Sequence, residues 1–151
     1  MELNVKYLLS LLLTFFLAFG GNAEQPLDPH KAIELIEGKN YYELGLKIDL
    51  LEDESKKLTI KDILSSKYAN QFKRSKKEVP SFGFKKANFW AKITLLNNTK
   101  SQKSWLFHQQ NYTQDEITVY RKIEGQWRSS TTGDFFPFKT REVDARSFSF
   151  H

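Results

Sequence analysis

Period-two alternation of apolar and polar residues recurs in short runs along this chain. Tyr42, Leu44, Leu46, Ile48 and Leu50 alternate with Glu43, Gly45, Lys47 and Asp49, the pattern of a strand with one buried face. Phe89, Ala91, Ile93 and Leu95 form an apolar set, and Trp90, Lys92, Thr94 and Leu96 a mixed one. Trp105 and Phe107 alternate with Leu106 and His108; Ile117, Val119 and Arg121 alternate with Thr118 and Tyr120. Glu124-Gly125 marks a hairpin turn into Gln126-Trp127-Arg128, and Phe148 and Phe150 alternate with Ser147 and Ser149. One segment differs. Ile60, Ile63, Leu64, Tyr68 and Phe72 fall on one helical face, with Thr59 and Asp62 placed as a capping box. Many short strands, one short helix and no βαβ rhythm predict a mainly β, antiparallel sandwich. Trp105, Trp127 and the phenylalanines are expected in its core.

The amino terminus sets the compartment. Lys6 precedes an apolar run from Tyr7 to Phe19, 13 residues long, where a spanning helix needs about 20. Gly20-Gly21 breaks it and Gly21-Asn22-Ala23 supplies small residues, so residues 1–23 read as a signal peptide. An uncleaved anchor is the alternative; either way the remainder lies outside the cytoplasm, on the extracytoplasmic face of a bacterial membrane. Removing residues 1–23 from 151 leaves 128, one domain with a real core. Residues 24–40, with Pro26 and Pro29, read as a flexible lead-in holding a single helical turn at Ala32–Ile36, and 41–151 as the domain.

Several chemistries are excluded. With no cysteine there is no disulfide, thiolate metal site, cysteine nucleophile or acylated lipoprotein anchor. His30, His108 and His151 show no ligand spacing, so neither a metal nor a cofactor is expected. No motif singles out a carboxylate pair or a nucleophile beside a histidine, and the chain is not expected to be an enzyme. Its formal charge is +5. Lys73 to Lys86 holds six basic residues and one acid, Glu78, which is the whole excess. A nucleic-acid binder spreads cations and aromatics over a folded face, so nucleic acid is not the expected partner. Concentrated in one loop, Lys73, Arg74, Lys76 and Lys77 fit either a solvated loop or docking onto a partner protein, an acidic membrane surface or an anionic envelope polymer.

The order of these pieces resembles a known family. Tyr42 to Asp53 is similar to the opening strand of the type 2 extracellular sensor domain of the bacterial 7TMR-DISM receptors, the seven-transmembrane receptors with diverse intracellular signalling modules. Leu58 to Leu64 resembles its helix. Asn88-Phe89-Trp90-Ala91-Lys92-Ile93-Thr94-Leu95 resembles its tryptophan strand, with Phe82-Gly83-Phe84 before it. Thr132-Gly133-Asp134 and Pro137-Phe138 resemble its late turn, followed by Arg141 and Arg146 to Phe150. The resemblance covers roughly residues 41–151. It implies a jelly-roll-like sandwich similar to carbohydrate-binding modules, and noncatalytic recognition of a small ligand, a carbohydrate or carboxylate. In an intact receptor, binding is relayed to membrane helices. It also implies a further strand beyond His151.

Four residues are candidates for the ligand. Trp90 and Lys92 lie opposite the apolar face of their strand. Exposed, they would suit a sugar or a carboxylate; with both sheet faces covered, Trp90 would be core. Arg141 and Arg146 suit an anionic ligand, because guanidinium pairs with carboxylates. Alternatively they bridge loops, pairing with Asp134 or Asp144.

Overall fold

A computed structural model describes residues 2–7, 32–101 and 104–151. Its strands are β1 (Glu2–Tyr7), β2 (Ile33–Leu35), β3 (Asp49–Asp53), β4 (Lys73–Arg74), β5 (Asn88–Lys92), β6 (Leu95–Asn97), β7 (Phe107–Gln109), β8 (Ile117–Ile123), β9 (Gln126–Thr132) and β10 (Phe148–Phe150). The helices α1 (Ile60–Leu64) and α2 (Ser66–Ala69) lie between β3 and β4. Six strands form one sheet in the order β4-β3-β5-β1-β8-β9, with every described pairing antiparallel. β7 pairs antiparallel with β10, and β2 pairs parallel with β6. The chain is therefore mainly β, as its alternation predicts.

The pleat sends alternate residues to two cores. Ala91, Ile117 and Val119 of the large sheet meet Ile33 and Leu35 of β2, Phe107 of β7, and Phe148 and Phe150 of β10. The two small sheets thus cover one face. On the other face Leu51 and Trp90 pack with Ile63 of α1, joined by Tyr68, Phe72 and Tyr120. The helices are held there by local chemistry. The Thr59 amide donates to Asp62 Oδ2 at 2.7 Å, and the Asp62 amide donates back to Thr59 Oγ1 at 3.4 Å. That reciprocal cap satisfies two amides that the first turn leaves orphaned. Asp53, buried at the end of β3, accepts from Ser55 Oγ and the Leu58 amide at 2.6 and 3.0 Å. The segment after β3 is thus a folded turn leading into α1.

Several expectations change. The alternating run Tyr42–Leu50 is no continuous strand: a 3-10 turn occupies Gly45–Lys47 and β3 starts at Asp49. A Cβ on Gly45 would stand 1.7 Å from the Glu78 carbonyl oxygen, so the backbone bends at the contact only glycine permits. Residues 33–35, placed in the lead-in and its helical turn, are strand β2, with Ile33 and Leu35 buried. The expected helix is two short pieces, with Ser65 extended between them. Trp127 is half-buried on β9 outside both cores, paired across the hairpin with Lys122, whose Nζ lies 5.9 Å from the indole, and Phe84, Phe135 and Phe138, also expected in the core, are exposed. At the amino terminus, residues 2–7 of the expected signal peptide are a strand paired with β5 and β8; residues 8–31 lie outside the described residues.

Candidate functional site

The basic segment is not a free loop. Lys73 and Arg74 form β4, the edge of the large sheet, opposite Leu50 and Asp49. Lysine on an edge strand also discourages pairing with other chains. Beyond β4 the buried Ser75 fixes the backbone: its amide donates to the Ile48 carbonyl at 2.9 Å, its hydroxyl donates to the Lys77 carbonyl at 3.1 Å, and the Lys77 amide donates back to that hydroxyl at 3.3 Å. Gly45 against Glu78 closes the same turn. Phe82 then stacks on Phe89 of β5, centroids 3.9 Å apart, and returns the chain to the sheet.

Between this strap and the sheet lies a groove of about 610 Å³. Leu50, Leu51, Phe82 and Phe89 give it an apolar lining; Lys73, Arg74, Lys76 and Lys77 give it cations. Its charges are unbalanced. Arg74 Nε donates to Asp49 Oδ1 at 2.7 Å, and Lys85 Nζ lies 2.6 Å from Oε2 of Glu52, the acidic residue of the lining, so these two carboxylates are already matched. Lys73, Lys76 and Lys77 are exposed and form no ion pair with any described residue. An apolar lining beside uncompensated ammonium groups suits a small organic anion, because the lining buries its carbon skeleton while the cations fix its charged end.

The four ligand candidates lie elsewhere, on two sides of the sheet. Trp90 is 0% exposed. Its ring stacks on Tyr120 with centroids 5.7 Å apart, in the core that the helices cover, so it offers no open platform for a sugar. Lys92 reaches the same side, its Nζ 5.8 Å from the Phe72 ring. Arg141 and Arg146 belong to the opposite side. Arg141 lies between the Phe138 and Phe148 rings, 4.7 and 4.6 Å from their centroids, and donates to the Ala145 carbonyl at 2.8 Å and to the Arg146 carbonyl. It bridges the loop before β10, with Asp134 4.0 Å away. Arg146 lies 4.1 Å above the Tyr112 ring. The structure therefore does not bring the four together.

An unforeseen charged pair lies on that side too. Arg121 of β8 binds both carboxylate oxygens of Glu142, with Nη1 3.0 Å from Oε2, and the His151 amide donates to the same oxygen at 2.9 Å. Burial alone pushes the Glu142 carboxyl up, but hydrogen bonds from Arg121, Ser130 and the His151 backbone outweigh it and hold the group below its ordinary value. Among the described residues no group of three or more histidine, aspartate or glutamate side chains is arranged to hold a metal, and no helix is long and apolar enough to cross a membrane.

The family model described as 7TMR-DISM extracellular 2 matches residues 45–151, a span that includes both walls of the groove. No curated protein matches the chain.

Proposed function

Since the chain belongs to the 7TMR-DISM extracellular 2 family, an extracellular sensory domain of membrane receptors, we propose that it recognises a small organic anion in the groove beneath Lys73, Lys76 and Lys77. The ligand class is a carboxylate or an acidic carbohydrate. The carrying observation is the presence of three exposed cations, without ion-pair partners among the described residues, beside an apolar lining. Recognition is noncatalytic: the groove lining supplies no carboxylate pair and no histidine beside a nucleophile. The two-core arrangement is compatible with a jelly-roll-like sandwich akin to carbohydrate-binding modules, and the family of extracellular domains with an extracytoplasmic location. In a receptor, binding would be relayed to the membrane helices.

A thermal-shift panel of mono- and dicarboxylates, uronic acids and neutral sugars tests this reading. Ligand at a hundredfold excess over its Kd stabilises a fold by about 2.7 kcal/mol, a melting shift of several degrees. Acids are expected to produce it, neutral sugars are not, and Lys73→Gln/Lys76→Gln/Lys77→Gln should abolish it. Equal stabilisation by neutral sugars, or shifts untouched by the triple variant, would contradict the proposal.

A further inference from the structure

The strap carries two apolar side chains with no place in either core. Val79 is 81% exposed and Phe84 111% exposed. Phe82, two residues before Phe84, is seated on Phe89. Gly83 at φ +63° turns the chain between them, so one phenylalanine anchors the strap while the next projects to solvent. Exposed cations flank these residues along the chain: Lys76, Lys77 and Lys86 form no ion pair with a described residue, and Lys85 is held by Glu52.

A protein partner fits this pattern poorly. Lysine is depleted from the buried centres of protein interfaces, and two exposed apolar side chains in a lysine-rich segment fall short of a large apolar patch. A lipid surface fits both parts. Anionic headgroups attract clustered lysines, and isolated apolar side chains enter the boundary between headgroups and acyl chains. We propose that residues 76–86 dock on an anionic lipid bilayer, with Phe84 and Val79 entering it and Lys76, Lys77 and Lys86 meeting its headgroups. The proposal draws on the membrane-receptor family, not on the groove ligand. β4 is one edge of the six-stranded sheet and β9 the other, so docking would present the molecule edge-on to the membrane.

The absence of cysteine allows a site-specific test on the full chain. Phe84→Cys carries one environment-sensitive dye; Ser129→Cys, exposed on the far edge strand β9, carries the same dye as control. Vesicles of phosphatidylglycerol and phosphatidylcholine in equal parts should shift the Phe84 dye to the blue and leave the Ser129 dye unchanged. Pure phosphatidylcholine should shift neither. Lys77→Gln/Lys86→Gln should weaken the response severalfold, and added salt should do the same. The label reports locally, so the apolar run at residues 7–19, common to every sample, cannot produce the contrast. No blue shift at position 84, an equal shift at position 129, or the same shift from soluble polyphosphate would overturn the proposal. Lys76 and Lys77 serve both proposals, but thermal shifts by organic acids are read without vesicles, so either proposal can fail while the other stands.

Discussion

Gly45 shows how one missing side chain shapes the groove. The Glu78 backbone occupies the space where a Cβ would stand, at 1.7 Å, so any larger residue pushes the strap off the sheet edge. Gly45→Ala is expected to cost about 1–3 kcal/mol, the usual range for overpacking, read as a lower urea midpoint, and to weaken acid binding with it. An unchanged midpoint would mean that the strap does not rest on this contact. Trp90 teaches the complementary lesson. Its tryptophan-plus-lysine surroundings look like a sugar platform in sequence, yet the face is occupied by Ile63, Tyr68 and Phe72 from the helical segment. Whether a strand's second face is open depends on where a distant element packs, and no local spacing encodes that.

The elements divide by how local their causes are. α1 is legible because its cap, Thr59 with Asp62, is complete within four residues. The hairpin of β8 and β9 is legible because Glu124-Gly125 turns it between alternating runs. The run from Tyr42 to Leu50 misleads because its bend is imposed by Glu78, far along the chain. The clamp of Arg121 on Glu142 joins β8 to the segment before β10 across 21 positions, with no sequence signal. It has a pH signature. Because the folded carboxyl is held below its ordinary value near 4.5, it contributes stability that is complete above that value and is lost as pH falls through the lower folded value. Glu142→Gln should therefore be less stable than the native chain at neutral pH, with the gap closing below pH 4.5. Urea midpoints across that range check it; a gap independent of pH would show that the ionised carboxylate is not responsible.

At the scale of the molecule, the large sheet is continuous only through β1, which pairs with β5 over three positions and with β8 over six. A proline within a central strand removes a ladder hydrogen bond, so Val5→Pro in the full chain should lower its denaturation midpoint markedly. No change would show that the sheet holds without this strand. The groove lies toward the opposite edge, where β3, β4 and the strap converge. Charge counting located its cations, since residues 73–86 carry the whole excess. Its apolar lining was hidden, because Leu50, Leu51 and Phe89 meet the lysines only through strand pairing. The most direct test is amide chemical-shift mapping with the acid that stabilises the protein most. The account predicts saturable shifts at Leu50, Leu51, Lys73–Lys77 and Phe82; shifts confined to the Tyr112, Arg141 and Arg146 side would contradict it.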